Sequence, residues 1–243
     1  MINLSKISTE SDKSIDRKAI EKETEDLYKQ MAPLQNLLYA EKKHSLLIIL
    51  QGMDASGKDG TVKHVFSSMN PMGIEVTAFK EPTQEEKAYD FLWRIHKHTP
   101  AKGMVQIFNR SHYEDILVPT VHKTMDKKLI ESRYSIINSF EQNLSENGTI
   151  ILKFFLHISK KEQKERIKER LTITEKKWKY DPADKREESN LDAYMEVYEK
   201  IFERCSPDFP WIIVPADQKW YRNYLIAKEM VKTLKGLKMK YPE

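Results

Sequence analysis

The stretch LLIILQGMDASGK, at residues 46–58, decides the fold. It opens with five consecutive apolar residues, which is typical of a strand buried on both faces of a parallel sheet. It continues as G-x-x-x-x-G-K from Gly52 to Lys58, where a helix is predicted to begin. Backbone N–H groups of such a loop point at phosphate oxygens, and the helix N-terminus adds positive charge. We therefore predict a phosphate-binding loop, or P-loop, rather than a simple glycine turn.

The residues of this P-loop divide into a cation, a carboxylate and backbone donors. Lys58 brings a full positive charge to a bound phosphate. Asp54 would repel phosphate unless a cation lay between them, which indicates a magnesium ion. The position after the lysine usually carries a hydroxyl that binds the metal, and either Asp59 or Thr61 is left to replace it. The other positions predicted to contact phosphate are Gly52, Ala55, Ser56, Gly57, Asp59 and Gly60.

Strand and helix signals alternate along the rest of the chain. The apolar run at 46–50 predicts a strand, and further strands are predicted at 74–78, 104–108, 150–156 and 211–214. Helices are predicted at 16–43, 59–69, 83–98, 127–146, 187–204 and 218–236, with Pro33 as a point where the first is loosened. This alternation favours an α/β fold in which a five-stranded parallel sheet carries helices on both faces.

A second group of polar residues follows the strand predicted at 104–108. Ligands of open parallel sheets bind beyond the carboxyl ends of the strands, so these residues are expected near Lys58. Arg110 is a candidate phosphate clamp because a guanidinium can grip two oxygens. Asp115 is a candidate metal ligand paired with Asp54, and Glu114 lies beside it. The alternative is a surface loop with an acidic pair that arose by chance.

A basic segment at residues 160–180 follows the fourth predicted strand. It contains nine lysines and arginines against four glutamates, a net charge of +5, whereas the whole chain carries +4. Arg166 and Arg170 share a helix face, because they lie four residues apart. Lys176, Lys177 and Lys179 follow. We predict a lid that closes cations over a polyanion, with a solvated helix as the alternative.

Composition limits the remaining possibilities. The chain has 243 residues, enough for one α/β domain, and its single cysteine, Cys205, excludes an internal disulfide and a multi-cysteine metal site. The mild net charge does not indicate a nucleic-acid partner, and no apolar run is long enough to span a membrane. Without a signal segment, we expect a cytoplasmic protein. We expect a mobile leader at 1–15 and a single domain at 16–243, with the lid insertion at 160–187.

Several long motifs resemble the polyphosphate kinase 2 family. They are QGMDASGKDGTVK, DFLWRIHKHTP, IFNRSHYEDILV, ILKFFLHISKKEQKERIKERL, EKKWKYDPAD and IIVPADQKWYRNYLIAKEMVKTL. The resemblance covers nearly the whole chain, from about residue 30 to about residue 240. It implies a three-layer, thymidylate-kinase-like P-loop kinase fold with a helical lid. It also implies reversible phosphoryl transfer between inorganic polyphosphate and nucleotides, with Mg²⁺ or Mn²⁺.

The resemblance also implies roles for single residues. Asp54 and Asp115 match metal-binding carboxylates, and Lys58 and Arg110 match phosphate binders. Arg166, Arg170 and the lysines at 176–179 fall in the lid of the family. Asn109 and Glu114 resemble the class III version, which implies that AMP is converted to ADP and ADP to ATP. Guanine nucleotides are left open as acceptors, and the family resemblance implies a homodimer or homotetramer.

The chemistry implied by the resemblance fits the kinds of residue present. A nucleotide phosphate is already largely ionised, so transfer needs positioning and charge neutralisation but no general base. This accounts for cations and carboxylates without a Ser–His or Cys–His arrangement. Two alternatives are an ATP-dependent small-molecule kinase and a non-catalytic module that binds polyphosphate or RNA.

Overall fold

The computed structural model describes residues 2–179, 190–205 and 207–242. Its strands are β1 (Ser45–Gln51), β2 (Ile74–Ala78), β3 (Val105–Asn109), β4 (Thr149–His157) and β5 (Trp211–Pro215). They form one parallel sheet in the order β2-β3-β1-β4-β5. All five predicted strands are therefore confirmed, and their carboxyl ends share one edge of the sheet.

The helices are connected to these strands in the predicted alternation. They are α1 (Arg17–Glu41), α2 (Lys58–Val65), α3 (Gln84–Lys87), α4 (Trp93–His96), α5 (Glu114–His122), α6 (Lys127–Glu146), α7 (Lys160–Thr172), α8 (Leu191–Arg204) and α9 (Lys219–Gly236). Short 3₁₀ turns lie at Leu4–Lys6, Pro71–Gly73 and Thr174–Lys179. Asp16 caps α1, which passes through Pro33 without the predicted loosening. Within the described ranges, no helix combines the length and apolarity needed to cross a bilayer.

The sheet separates two apolar cores. Successive side chains of a strand point to opposite faces, so Leu47 and Ile49 of β1 join the core beneath α5, α6 and α8. Leu46, Ile48 and Leu50 join the other core, beneath α1, α2 and α9. Full burial of such side chains contributes about 1.5–3 kcal/mol each. This three-layer arrangement confirms the predicted fold class.

Two helical segments differ from the prediction. The helix predicted at 83–98 is broken into α3 and α4, because Asp90 accepts the backbone N–H of Leu92 outside a helix. No helix is predicted from the sequence after Glu114, yet α5 forms there around Pro119. Proline lacks the N–H that would bond to the carbonyl four residues earlier. That carbonyl, of Asp115, instead accepts a hydrogen bond from Arg133.

The predicted helix at 187–204 and the predicted lid at 160–187 extend partly outside the described residues. α8 is described from Leu191, and positions 187–189 lie beyond the described ranges. For the lid, α7 and the 3₁₀ turn at Thr174–Lys179 are described, whereas 180–187 are not.

The N-terminal segment does not match the expected mobile leader. Leu4 is 1% exposed and packs into the core under α8. Nε2 of His157, at the end of β4, donates to the carbonyls of Leu4 and Ile7 at 3.1 and 3.2 Å. Thr9 donates to the carboxylate of Asp217 at 2.8 Å. The polar composition of this segment concealed its one deeply buried leucine.

Candidate active site

The P-loop, residues 52–58, leaves β1 and enters α2 with a backbone that requires glycine. Gly52 and Gly57 have φ values of 147° and 103°, which glycine adopts readily. A Cβ at Gly52 would lie 2.8 Å from the carbonyl oxygen of Leu156 on β4. Glycine at this position therefore lets the loop pass close to the neighbouring strand.

Lys58 begins α2 and is almost completely buried. Its Nζ donates to the carbonyls of Gly52 and Met53 at 2.7 and 3.2 Å. Burial and the nearby charge of Arg110 lower the pKa of Lys58 to about 8, against the opposing effect of neighbouring carboxylates. The ammonium is thus held inside the loop, where it remains mostly charged at neutral pH.

Arg110 reaches the P-loop from the end of the adjacent strand. Its backbone N–H donates to Leu50 of β1 at 3.0 Å, which fixes the start of the turn after β3. Its guanidinium donates to Oδ1 of Asp54 at 2.7 Å. The turns after β1 and β3 therefore bring Lys58, Asp54 and Arg110 into one cluster, as the shared strand edge predicts.

Charges of both signs alternate within this cluster. Burial opposes ionisation of Asp54, but Lys58 and Arg110 outweigh it and leave the pKa of Asp54 below its usual value. Burial also disfavours the charge of Arg110, yet Glu114 and Asp54 raise its pKa overall. For Glu114, burial prevails over these cations and raises its pKa. The acidic residue of α5 beside the P-loop cations is therefore Glu114.

Asp115 contacts a different pair of cations. Its carboxylate lies 3.4 Å from Arg94 Nη2 and 3.6 Å from Arg133 Nη1. Burial raises the pKa of Asp115, and the two arginines oppose that shift. These contacts differ from the predicted pairing of Asp115 with Asp54. A role for Asp115 in metal binding remains a prediction, and the carboxylate would have to be released from its arginines to serve it.

A groove of about 700 Å³ runs between the P-loop, the ends of β2 and β3, and α7. Its charged lining comprises seven lysines and arginines and four acidic residues. This excess of positive charge suits an extended polyanion. The charged residues are Asp54, Lys58, Asp59, Lys80, Glu81, Arg110, Arg166, Glu169, Arg170, Lys176 and Lys219. A second cavity of about 830 Å³ lies beside Trp220 and is lined by none of the predicted site residues. The charge of its lining, rather than its volume, therefore identifies the groove as the candidate active site.

Arg166 lines the groove and also binds the backbone of the P-loop. Its Nη1 donates to the carbonyls of Ala55 and Ser56 at 3.1 and 3.0 Å. Its Nη2 donates to those of Ala216 and Asp217, both at 2.7 Å. Nε donates to Glu162, one turn earlier on α7. The donors of Arg166 are engaged by these groups, which differs from the direct phosphate contact predicted from the sequence.

The other predicted lid cations divide by position. Arg170 lines the groove, and its charge helps to lower the pKa of Asp54. Lys176 also lines the groove and donates to Glu169 at 2.6 Å. Lys177 is exposed and does not line it, while the side chain of Lys179 lies outside the description. The structure therefore brings Arg170 and Lys176 to the groove, and phosphate binding by the lid remains a prediction.

The donor set of the groove fits a magnesium ion shared with phosphate. Asp54 and Asp59 both line the groove, and Asp59 accepts a hydrogen bond from Asn109 at 2.8 Å. Thr61 is fully buried and does not line it, so Asp59 is the better placed substitute for the usual hydroxyl. Among described residues, no three His, Cys, Asp or Glu side chains form a metal cage. Mg²⁺ commonly takes only one or two carboxylates, with water and phosphate oxygens completing its shell.

Several lining or supporting residues were not predicted. Gln163 of α7 donates to the backbone carbonyl of Asp54 at 3.0 Å. Lys80 and Lys219 line the groove. Both lysines follow closely after the carboxyl ends of β2 and β5. The rule that located Arg110 would have located them as well, had it been applied to every strand.

The parallel sheet, the P-loop and the cationic groove define a P-loop kinase-like protein. The sequence model of "Polyphosphate kinase 2 (PPK2)" matches residues 14–242. The chain therefore belongs to the polyphosphate kinase 2 family.

Curated relatives and a solved structure agree with this assignment. An "AMP/ADP-polyphosphate phosphotransferase" of Meiothermus ruber is 47% identical, over 89% of this chain and 82% of its own length. An "ADP-polyphosphate phosphotransferase" of Rhodopseudomonas palustris is 42% identical, over 88% of this chain and 78% of its own length. The crystal structure of polyphosphate kinase 2 from Arthrobacter aurescens TC1 aligns with a TM-score of 0.96 at 42% identity, covering 100% of this chain and 88% of that one.

Proposed function

We propose that the chain transfers phosphoryl groups reversibly between inorganic polyphosphate and adenine nucleotides. The transfer converts AMP into ADP and ADP into ATP. The observation that carries this proposal is the meeting of Lys58 and Arg110 at a groove lined by excess positive charge. Membership of the polyphosphate kinase 2 family supports the choice of donor. The names of the two relatives, as AMP/ADP- and ADP-polyphosphate phosphotransferases, support the choice of acceptors.

The chain's own residues supply positioning and charge neutralisation. An ionised nucleotide phosphate needs no general base. The enzyme has only to bring the two polyanions together, with the attacking and leaving oxygens in line. Lys58 and Arg110 offset the charge that develops on the transferred group. Arg170 and Lys176 approach the same groove from α7 and the turn beyond it. Arg166 engages the carbonyls of Ala55 and Ser56 and so keeps these P-loop acceptors away from the bound phosphate. The N–H groups of the P-loop can then face the ligand.

Mg²⁺, or Mn²⁺ in its place, would be held by Asp54 and Asp59 at the groove. When bound, the ion supplies charge neutralisation between carboxylate and phosphate oxygens. Asp54 has the lowered pKa that suits such a ligand, because Lys58 and Arg110 keep it ionised. Asp115 joins this proposal only as the additional ligand predicted by family resemblance.

The test is a product assay with AMP, ADP, GMP and GDP, each incubated with polyphosphate and Mg²⁺. We expect AMP to yield ADP and ATP, and ADP to yield ATP, with no other phosphoryl donor present. Lys58→Ala should lower turnover by at least about 100-fold, because a transition-state charge partner is lost. Lys63→Ala is the matched control, since Lys63 is an exposed lysine of the same helix.

Two results would contradict the proposal. One is phosphorylation that requires ATP and ignores polyphosphate, which is the behaviour of an ordinary small-molecule kinase. The other is tight binding of polyphosphate or RNA without any nucleotide product. Near-normal turnover by Lys58→Ala would remove the P-loop lysine from the mechanism.

A further inference from the structure

A buried arginine outside the predicted site lies directly behind the P-loop. Arg222, in the first turn of α9, is only 2% exposed. A Cβ added at Gly57 would lie 2.0 Å from its Nη1, and one at Gly60 would lie 3.5 Å from its Nη2. The guanidinium therefore occupies the space beside the N-terminus of α2, which the absent side chain of Gly57 leaves open.

The hydrogen-bond partners of Arg222 among the described residues are uncharged. Its Nε and Nη2 donate to Asn223 Oδ1 at 3.1 and 2.8 Å, and its Nη1 lies 3.5 Å from the carbonyl oxygen of Ser56. In the described part of the chain, no carboxylate lies within ion-pair distance of it. A second guanidinium, that of Arg166, donates to the same Ser56 carbonyl. Two cations therefore contact the same P-loop carbonyl.

This environment is unfavourable for a positive charge. Burial and the nearby charge of Arg166 lower the pKa of Arg222 to about 10, against the opposing effect of Tyr28. The group still carries its proton at neutral pH. It also lies near the N-terminal ends of α9 and α2, where helix dipoles disfavour cations. A buried charge is normally compensated by a counter-charge, and the residues that the structure describes provide none within ion-pair distance here.

We propose that the counter-charge of Arg222 is the phosphate bound on the other side of the P-loop. Arg222 is then a positioning residue. It touches the loop backbone, holds the Ser56 carbonyl away from the ligand, and adds positive potential where Asp54 and Asp59 reduce it. This inference rests on the proposed function for the identity of the anion. Its distinguishing consequence is that Arg222 destabilises the unliganded protein and strengthens phosphate binding.

The experiment compares Arg222→Met, Arg222→Lys and the wild type by thermal unfolding, with and without inorganic tripolyphosphate, and by steady-state kinetics. Arg222→Met keeps most of the packing volume but removes the charge. Lys232→Met is the matched control, because Lys232 lies on the same helix with a side chain that is 73% exposed. The unliganded Arg222→Met protein should melt no lower than wild type. Its tripolyphosphate-induced Tm rise should be largely lost, and KM for polyphosphate should increase about tenfold, more than kcat falls.

Arg222→Lys should recover most of the tripolyphosphate-induced Tm rise and most of the affinity for polyphosphate. Lys232→Met should match wild type in both. A purely structural arginine predicts the opposite pattern. Arg222→Met would then melt below wild type, and its tripolyphosphate-induced Tm rise and KM would be unchanged. That result overturns the inference, as does a wild type that no inorganic phosphate, pyrophosphate or tripolyphosphate stabilises. A wild type that is stabilised but forms no ATP contradicts only the proposed function.

Discussion

Lys58 illustrates how a single side chain is prepared by its surroundings. The sequence motif predicts a charged lysine at the phosphate, and the structure adds that this lysine is buried beside a second cation, Arg110. Both conditions favour the neutral amine, so the pKa of Lys58 falls to about 8. An approaching phosphate stabilises the charged form of Lys58, because an anion raises the pKa of a neighbouring ammonium. Phosphate binding by this residue is therefore coupled to its protonation.

A pH dependence follows from this pKa. Lys58 loses its proton as pH rises through about 8, so kcat/KM for polyphosphate should fall towards tenfold per pH unit above that value. In kcat, which reports the substrate complex, the same limb should move to higher pH. Lys58→Arg should abolish the limb, because a guanidinium stays charged. Two results would show that Lys58 does not cause the pH dependence. One is a wild-type kcat/KM that stays constant up to about pH 9.5, and the other is an equal fall of kcat/KM at high pH in Lys58→Arg.

Residue identities were easier to predict than residue partners. Lys58 and Arg110 were predicted to approach each other, because motif and strand order fix where both backbones run. Asp115 is predicted as a metal ligand from its place after a strand and from the family resemblance. Its contacts with Arg94 and Arg133 were not predictable, because both arginines lie far from it in sequence. Arg166 is predicted to bind phosphate from its charge and its place in the basic segment. Charge alone does not show that backbone carbonyls will engage its guanidinium.

At the scale of elements, all five strands were predictable, although their signals differ. β1 is an apolar run that is buried along its whole length, whereas β2 alternates apolar and polar residues and is partly exposed. α5 was missed because Pro119 argues against a helix, and only a tertiary contact from Arg133 satisfies the freed carbonyl. Local sequence does not contain that information.

The N-terminal segment gives an element-scale prediction. Leu4→Ala should destabilise the protein by about 2–5 kcal/mol, because it leaves a cavity in the core under α8. The measurement is urea unfolding of the full chain. Lys6→Ala is the control, since Lys6 is exposed in the same short turn, and its effect should stay within about 0.5 kcal/mol. Equal stability of Leu4→Ala and wild type would restore the view of a mobile leader.

At the scale of the whole molecule, one buried network joins the layers beneath the groove. Lys153 of β4 donates to Glu141 of α6 at 2.7 Å and to the hydroxyl of Tyr113 at 2.9 Å. Tyr113 directly precedes α5 and follows the turn that carries Arg110. The sheet and α6 thus hold the same turn that meets the P-loop. Such a network is not readable from sequence, because its members come from three separate elements.

The strand order explains why the two turns meet. β1 lies between β3 and β4, so the chain crosses to both sides of the strand that carries the P-loop. Crevices for ligands form at this kind of position. The proposed mechanism therefore requires that Lys58 and Arg110 act together on one phosphate chain in one groove.

A double-mutant cycle on kcat/KM for polyphosphate and ADP tests this claim most directly. The variants are Lys58→Met, Arg110→Met and the pair. Each single change should lower kcat/KM by at least about 100-fold, and the pair should lose far less than the product of the two, because residues that act as a unit are not additive. Losses that simply multiply, as for independent sites, would contradict a shared groove.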